Sequence, residues 1–496
     1  MQEVAGLVLK RESQASPTRH PPMILPVPGA SLAQTTSAGS NNITSPLSSC
    51  GQDIKWSAED FINAHLAIRK SGVYNFEGCK ISIPTKIRHD RIREALGEGI
   101  SPQEERTLSL LQFGMPIDCS PEYGIKAKQK NHHSAVSFSK EIEDYLSTNI
   151  SNQAILGPFD VPPIPGLCFS PLMSVPKEET KRRVIVDFSF PPGQSINDGI
   201  PRSSYLDFAA DFCLPSVQTM VSRVNDLGRG CLLYKRDLKG AFRQFGLDPG
   251  DFRFTGLEWN GSVYVDLRLA MGLRSSAFCC QSVTELVAKE IGKRAHVLVY
   301  LDDFGGAELA DKAQSSFEYL GRCLEHFGLE EAQEKAVAPT TEMDWLGISL
   351  NTSDWTMALR EGKLQELLTW LPKLLNLRRV KKVLLQKVLG SLVWASAVVR
   401  AGVVFFNRLL VLLRKLKRPN HSIHFSKEAK KDVAWWLQTL RRFKGKSPIP
   451  PAVWTPLISF ATDASLDGFG MVWGSRALAG LFPLELKTWI FPRKKC

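Results

Sequence analysis

The pattern of apolar and polar positions changes character several times along the 496-residue chain. Residues 1–52 show no period; Ser, Thr, Pro, Asn and Gly dominate. So few apolar side chains cannot offset the entropy of ordering, and this tail is expected to be disordered. From 54 to 151 the pattern turns mostly helical, with apolar residues at three-to-four spacing in 104–113 and 139–145. Short β-like runs follow at 168–175 and 183–188, around a charged turn at 176–182 and before a turn-rich stretch at 191–201. A helix is predicted over 217–227, then a strand over 231–235 leading into Asp237. Residues 252–259 and 263–269 read as a hairpin turning at Asn260-Gly261. A helix over about 275–289, an apolar strand over 296–301 and a helix over 311–326 complete this region. Strands and helices interleave without a regular βαβ repeat, which predicts an α+β fold rather than a doubly wound sheet.

Beyond 362 the chain is helical and basic: no Asp or Glu occurs between Glu366 and Glu428. A further helix is expected over 427–443, carrying Trp435 and Trp436, and two strands over 457–464 and 469–474. The most apolar stretch, 383–416, is interrupted by Lys387, Arg400, Asn407 and Arg408, so it reads as buried amphipathic helices and not as a membrane span. Residues 1–28 lack the sustained apolar core of a secretory leader. The net charge of +12 points to a polyanionic partner, nucleic acid or an anionic membrane surface, without choosing between them. Ten cysteines lie scattered with no C-x-x-C pair and no zinc spacing, which suits a reducing, intracellular setting, cytoplasm or nucleus.

Chemistry concentrates at two places. Val297 to Leu301 is an apolar strand running into Asp302 and Asp303, and Leu232 to Arg236 runs likewise into Asp237. Adjacent carboxylates at a strand end repel each other and gain nothing in packing; a hard divalent cation relieves that repulsion. Nucleotidyl transfer uses two such ions about 3.5–4 Å apart, bridged by carboxylates from neighbouring strand ends.

These residues resemble the reverse transcriptases. Tyr300-Leu301-Asp302-Asp303 is similar to their Y-x-D-D box, and the Asp237 segment to their first catalytic motif. Leu269 to Phe278, with Gln281 beyond, resembles the segment that contacts templating base and incoming nucleotide in that family. Phe327-Gly328-Leu329 with Lys335 resembles the fourth motif, and Trp345-Leu346-Gly347 the primer-grip hairpin. The boxes occur in the family's order. The resemblance implies a right-hand polymerase with fingers, palm and helical thumb.

It also implies roles. Asp237 and Asp302 would be the principal Mg²⁺ ligands, with Mn²⁺ a possible substitute, and Asp303 a third carboxylate. Phe242 matches the ring that blocks a ribose 2′-OH, which favours dNTPs. Arg183 and Lys177 match triphosphate contacts, and Met271 and Gly272 the nucleotide contact. Met271 replaces a glutamine, and Ala270 and Ala277 replace prolines, found in many relatives. Arg378, Arg379, Lys381, Lys382 and Lys387 would follow the phosphates of an RNA or DNA template-primer, and the palm upstream makes nucleic acid the better partner than a membrane.

The resemblance narrows to DIRS-like retrotransposons through Gly157 to Asp160, Phe169 to Lys177, Lys181 to Asp187, Ser195 to Ile200 and Gly230 to Gln244, and it extends through Asn131-His132-His133-Ser134. It spans roughly 70–475. Phe460 to Ser465 with Gly468 to Gly470 resembles the opening of a ribonuclease H domain whose first carboxylate would be Asp463. Too few residues follow for a domain of about 100, so no ribonuclease H activity is expected. The expected layout is a tail (1–52), a helical extension (53–150), fingers and palm (151–350), a helical thumb (351–450) and a truncated ribonuclease H-like segment (451–496). Two other readings stay open: a catalytically inactive, transposon-derived nucleic-acid-binding protein, and an RNA-dependent RNA polymerase, against which Phe242 speaks.

Overall fold

A computed structural model describes residues 85–177, 181–206, 208–209, 214–418, 420–443, 445–451, 460–464, 468–473 and 476–481. The expected tail, and the helical extension and family resemblance before residue 85, lie outside these. The chain divides into two units, one ending at Pro448 and one beginning at Ile449.

The first unit opens with helices α1 (His89–Leu96) and α2 (Pro102–Phe113). The start of α2 is dictated locally: Ser101 and Glu104 form a reciprocal capping box and Pro102 occupies the first turn. Next come α3 (His133–Ser137), α4 (Ser139–Ser151), strand β1 (Ile155–Phe159) and the two-stranded hairpin β2 (Leu172–Pro176) with β3 (Arg182–Val186). A single helical turn α5 (Ile196–Gly199) and the short ladder β4 (Ser204–Tyr205) with β5 (Phe208–Ala209) lead into α6 (Val217–Leu227), capped by Ser216.

Strand β6 (Leu232–Asp237) begins the central sheet. After it, β7 (Gly256–Trp259) and β8 (Ser262–Asp266) form the expected hairpin, with Asn260 (φ 50°) and Gly261 (φ 87°) both in the left-handed conformation of a two-residue turn. The expected strand start at 252 is corrected. Residues Pro249–Phe254 form a 3-10 helix instead, because Pro249 fixes the first turn and Asp248 caps it through the Gly250 amide, at 2.7 Å. Strand β8 pairs with both β1 and β7.

Helix α7 (Ser276–Ile291), strands β9 (Leu298–Tyr300) and β10 (Asp303–Glu308), helix α8 (Ala310–His326) and strand β11 (Val337–Thr340) complete the sheet, in the order β11-β6-β10-β9. All its pairings are antiparallel. The period of two assigns each side chain a face. On one face Tyr234 meets Phe317 of α8 edge-on, and Arg236 reaches Glu331 at 2.7 Å while lying over the Phe317 ring. On the other face stand Asp237, Lys235, Asp303 and Gly305, in register with one another.

The glycines after Asp303 are required by packing. A Cβ on Gly305 would fall inside the Trp345 ring, and one on Gly306 would collide with the Tyr234 ring and the His296 carbonyl. The strand is thus squeezed between two aromatic side chains, both essentially buried.

Strands β12 (Glu342–Trp345), β13 (Ile348–Asn351) and β14 (Thr356–Leu359) form a meander, followed by α9 (Glu361–Leu375). The acid-free stretch is not helical throughout. Strand β15 (Arg379–Lys381) interrupts it before α10 (Lys382–Ala395), because Val380 is fully buried and its neighbours pair with β16 (Ser422–His424) across the loop that follows α11 (Asn407–Arg414). Helix α12 (Lys427–Arg442) packs on α9, with Trp436 buried against Gly402 and Trp435 stacked on Phe405 at 3.9 Å. Strand β17 (Lys446–Pro448) returns to the edge of β14.

The second unit is an antiparallel sheet of β18 (Phe460–Ala464), β19 (Gly468–Trp473) and β20 (Arg476–Leu481). The third strand was not anticipated, and the predicted start of the first, at 457, lies outside the described residues. Among the described residues no helix is long and apolar enough to cross a membrane.

Gly306→Ala should cost about 1–3 kcal/mol or more, as overpacking against backbone does. Gly362→Ala, near the start of α9 with open space around it, should be neutral or stabilise by about 0.4–1 kcal/mol. Chemical denaturation of the two variants reads the contrast, and equal midpoints would contradict the packing described for β10.

Candidate active site

Three carboxylates converge at one end of the central sheet. Asp303 is the direct antiparallel partner of Asp237, and Asp302 occupies the turn between β9 and β10, where its carbonyl accepts the Leu238 amide at 3.0 Å. The two-residue turn places Leu301 at φ 55°, an uncommon conformation for a branched side chain. Gln281 of α7, fully buried, holds it there. Its Oε1 accepts the Leu301 amide at 2.7 Å, while its Nε2 donates to the Val299 carbonyl at 3.1 Å and to Glu285 at 2.9 Å.

Burial and mutual repulsion govern the electrostatics. Desolvation raises Asp302 above the usual carboxylate range and the charge of Asp237 adds to it, with Lys335 and Arg183 opposing. Asp303 is pushed up to about 6, first by desolvation, then by Asp302 and Asp237, against the pull of Lys235. Lys335 donates to Asp237 Oδ1 at 2.6 Å. Burial pulls the Lys335 ammonium down, but the hydrogen bond to Asp237 and the three carboxylates outweigh it and raise its pKa.

These three acids are the residues that could hold a divalent cation. They do not stand as a finished cage: among the described residues no group of three metal-ligating side chains is already arranged around an ion position. Their chemistry nonetheless fits one. Hard oxygens crowded together, with Asp302 and Asp303 raised in pKa by burial and neighbouring charge, are what a divalent ion relieves.

Of the other residues singled out from sequence, Arg183 has a charge that reaches the acids. Arg183, on β3, reaches Met271 Sδ at 3.2 Å, and its charge acts on Asp302. Gly272 (φ 105°) lets its loop lie against β3, since a Cβ there would sit 2.8 Å from the Val186 carbonyl. Phe242 is half-buried on the 3-10 turn Ala241–Gln244. That turn is clamped on both sides. Arg243 pairs with the buried Asp266 at 2.7 Å and with Asn149 of α4, and Gln244 exchanges hydrogen bonds with the backbone of Glu330 at 2.8 Å. Lys177 stands exposed at the end of β2, with no contact to the acids.

Within the expected primer-grip hairpin, the Trp345 ring is 1% exposed and forms the floor beneath Gly305. Leu346 (φ 48°) and Gly347 (φ 86°), both half-buried, make the hairpin turn, and Trp394 donates to the Leu346 carbonyl at 3.3 Å. Of the five basic candidates, Arg378, Arg379, Lys381 and Lys387 are exposed and Lys382 is half-buried. Arg379 donates to the Ser422 carbonyl at 2.7 Å, and Lys382 to that of Lys417 at 3.0 Å. Lys387 lies 3.4 Å from Glu366 and over the Trp370 ring. Asp463 is an exposed residue of β18, opposite Gly470, in the second unit.

No protein-family model matches the chain, and no curated protein does. Solved structures do match. The protease-reverse transcriptase dRH of a foamy virus, described in complex with double-stranded DNA, is similar over 82% of this chain and 69% of its own, with 16% identity and a TM-score of 0.51. The fold is that of a reverse transcriptase. The foamy viral protease-reverse transcriptase with double-stranded DNA gives 16% identity and a TM-score of 0.48 over 82% of each chain. The same protein with an RNA/DNA hybrid gives 15% and 0.48 over 80% of this chain, which spans about half (52%) of that one. The expected palm motifs lie in the sheet of β6, β9, β10 and β11, and the expected fingers and thumb segments hold the β2–β3 ribbon and helices α9 to α12.

The raised pKa of Asp303 makes stability depend on pH. The folded chain binds this proton more tightly than the unfolded chain does, so the contribution is fully present below about pH 4. It is lost as pH rises through about 6. Asp303→Asn should therefore melt about 1–3 °C above the parent at pH 7–8, without divalent ions, and the difference should vanish toward pH 4. Thermal melts across that range are the measurement; a variant less stable at pH 8 than at pH 4, relative to the parent, would reverse the sign.

Proposed function

We propose that this chain is an RNA-directed DNA polymerase that extends a primer 3′-OH with dNTPs, copying RNA and then DNA. The observation that carries the reading is the register of the palm sheet. It sets Asp303 opposite Asp237 with Asp302 at the adjoining turn, a carboxylate cluster that gains nothing from packing and is disfavoured by its own charge.

In the proposed reaction the primer 3′-oxygen forms a bond to the α-phosphorus of a dNTP. The bond from that phosphorus to the α–β bridging oxygen breaks, and pyrophosphate leaves. Asp237 and Asp302, with Asp303 beside them, would hold two Mg²⁺ ions, which when bound supply a more acidic 3′-hydroxyl and neutralise phosphate charge. The protein's own groups do the rest. Arg183 offers a guanidinium to the triphosphate from the fingers side. Met271 and Gly272 give an apolar, close-fitting wall, and Phe242 fills the space a 2′-hydroxyl would need. Lys335 neutralises Asp237 while no cation does. Arg378 and Lys381, exposed on the thumb, would follow duplex phosphates without reading sequence. The motifs shared with DIRS-like elements support a retrotransposon origin, in which β18 to β20 would begin a ribonuclease H-like segment.

Primer extension on RNA and DNA templates tests the reading. Asp302→Asn should lower the rate by about 10³-fold. Activity that survives this substitution discredits the site, and none in the unaltered protein favours a nucleic-acid-binding remnant. Phe242→Ala should raise relative rNTP use by about 10–100-fold, and ready rNTP use by the parent would point to an RNA polymerase. Millimolar Mg²⁺ should also raise the melting temperature of the parent and leave that of Asp302→Asn nearly unchanged.

A further inference from the structure

The β2–β3 ribbon has only two strands, and an isolated two-stranded hairpin is marginal in water. Its pose must be set from outside. One side rests on the Gly272 loop. The other edge of β2 is met by the segment that begins Asn131-His132-His133-Ser134, whose residues bond to it as a third strand would. Asn131 Oδ1 accepts the Leu172 amide at 2.7 Å, and the His132 amide donates to the Leu172 carbonyl at 3.0 Å. Two residues on, Ser134 Oγ accepts the Ser174 amide at 3.2 Å. Leu172 and Ser174 present their backbone to the same edge, as the period of two requires.

The contacts continue to both ends of the ribbon. Where β3 ends, His132 Nε2 lies 2.9 Å from Asp187 Oδ2. Toward the tip, the Arg182 guanidinium donates to the Ser174 carbonyl at 2.8 Å and lies over the Phe138 ring at 3.5 Å. Asn131 Nδ2 also donates to the Glu258 carbonyl of β7 at 2.9 Å, which ties this edge to a different sheet. Arg182 is thus directed to the segment, while its neighbour Arg183 faces the other way, toward Met271 and the acids.

We infer that Asn131, His132 and Ser134 are positioning residues that hold the fingers ribbon at the angle that brings Arg183 over the site, and so set affinity for the incoming triphosphate. This rests on the polymerase reading for its ligand, not for its geometry. His133, exposed and among the described residues bonded through its side chain only to Ser137 of its own helix, serves as the internal control.

The test uses the full chain with His132→Ala, Ser134→Ala, Ser134→Thr and His133→Ala, read by steady-state dNTP incorporation and by amide hydrogen exchange. His132→Ala and Ser134→Ala should raise the dNTP KM by about 5–10-fold with kcat nearly unchanged. They should also speed exchange at 172–176 and 182–187. Ser134→Thr should retain parental values, and His133→Ala should change neither. In an Arg183→Ala background, His132→Ala should add less than about 2-fold to KM, because its effect runs through that guanidinium. Full additivity, or a fall in kcat with KM unmoved, overturns the inference. If the parent extends no primer, the polymerase reading fails by itself. Exchange then decides the clamp: unchanged rates in His132→Ala and Ser134→Ala overturn it, and faster rates confined to the ribbon uphold it.

Discussion

The structure turns on a repulsion that the central sheet is built to maintain. Antiparallel pairing sets Asp303 against Asp237, and a two-residue turn adds Asp302. No stability argument favours three acids there, since burial and mutual charge both raise the pKa values of Asp302 and Asp303. The surroundings offset part of this cost with cations: Lys335 on Asp237, Lys235 beside Asp303 and Arg183 near Asp302. Stress of this kind persists only where neighbouring structure over-determines it. Here the neighbours can be named. Gln281 fixes both sides of the turn, Trp345 and Tyr234 close on β10, and the glycines between them leave the strand no other course.

Much of this was legible in the sequence, for local reasons. An apolar run ending in a carboxylate marks a strand end whatever surrounds it, and Asn260-Gly261 prescribes its own turn. Helix α6 was predicted at its observed bounds, because Ser216 caps it and Gly228 ends it. Errors arose where a distant partner decided the matter. Residues 379–381 have no strand signal of their own and become extended because β16 lies alongside. Residues 249–254 carry strand-like aromatics, but Pro249 and the Asp248 cap prevail. The Trp345-Leu346-Gly347 motif locates a hairpin turn without telling which way the Trp345 ring points, and the ring turns inward.

Two residues show the limit from the other direction. Gln281 stood beside a recognised motif, yet its function as the latch of the β9–β10 turn depends on contacts to Val299 and Leu301 that no spacing rule reveals. Gly305 and Gly306 follow Asp303 in β10. Their need is steric, and visible only when Trp345 and Tyr234 arrive from elsewhere in the chain. Their signal was present as a Gly-Gly pair inside a strand, where glycine ordinarily weakens pairing and so asks for a reason.

The same pair fixes how β10 aligns on β6. A strand slipped by one residue turns every side chain to the opposite face. For β10 against β6, a slip would bring Phe304 or Asp302 opposite Asp237 and would move a side chain into the space that Trp345 or Tyr234 now fills. Only Gly305 and Gly306 fit those two places, and they are adjacent, one for each face. The register is therefore fixed by a steric condition two and three residues downstream of the acid it serves. Apolar residues of the core can be exchanged for others of similar volume with modest loss. A change at either glycine acts on the alignment of the carboxylates themselves, although neither can touch a substrate.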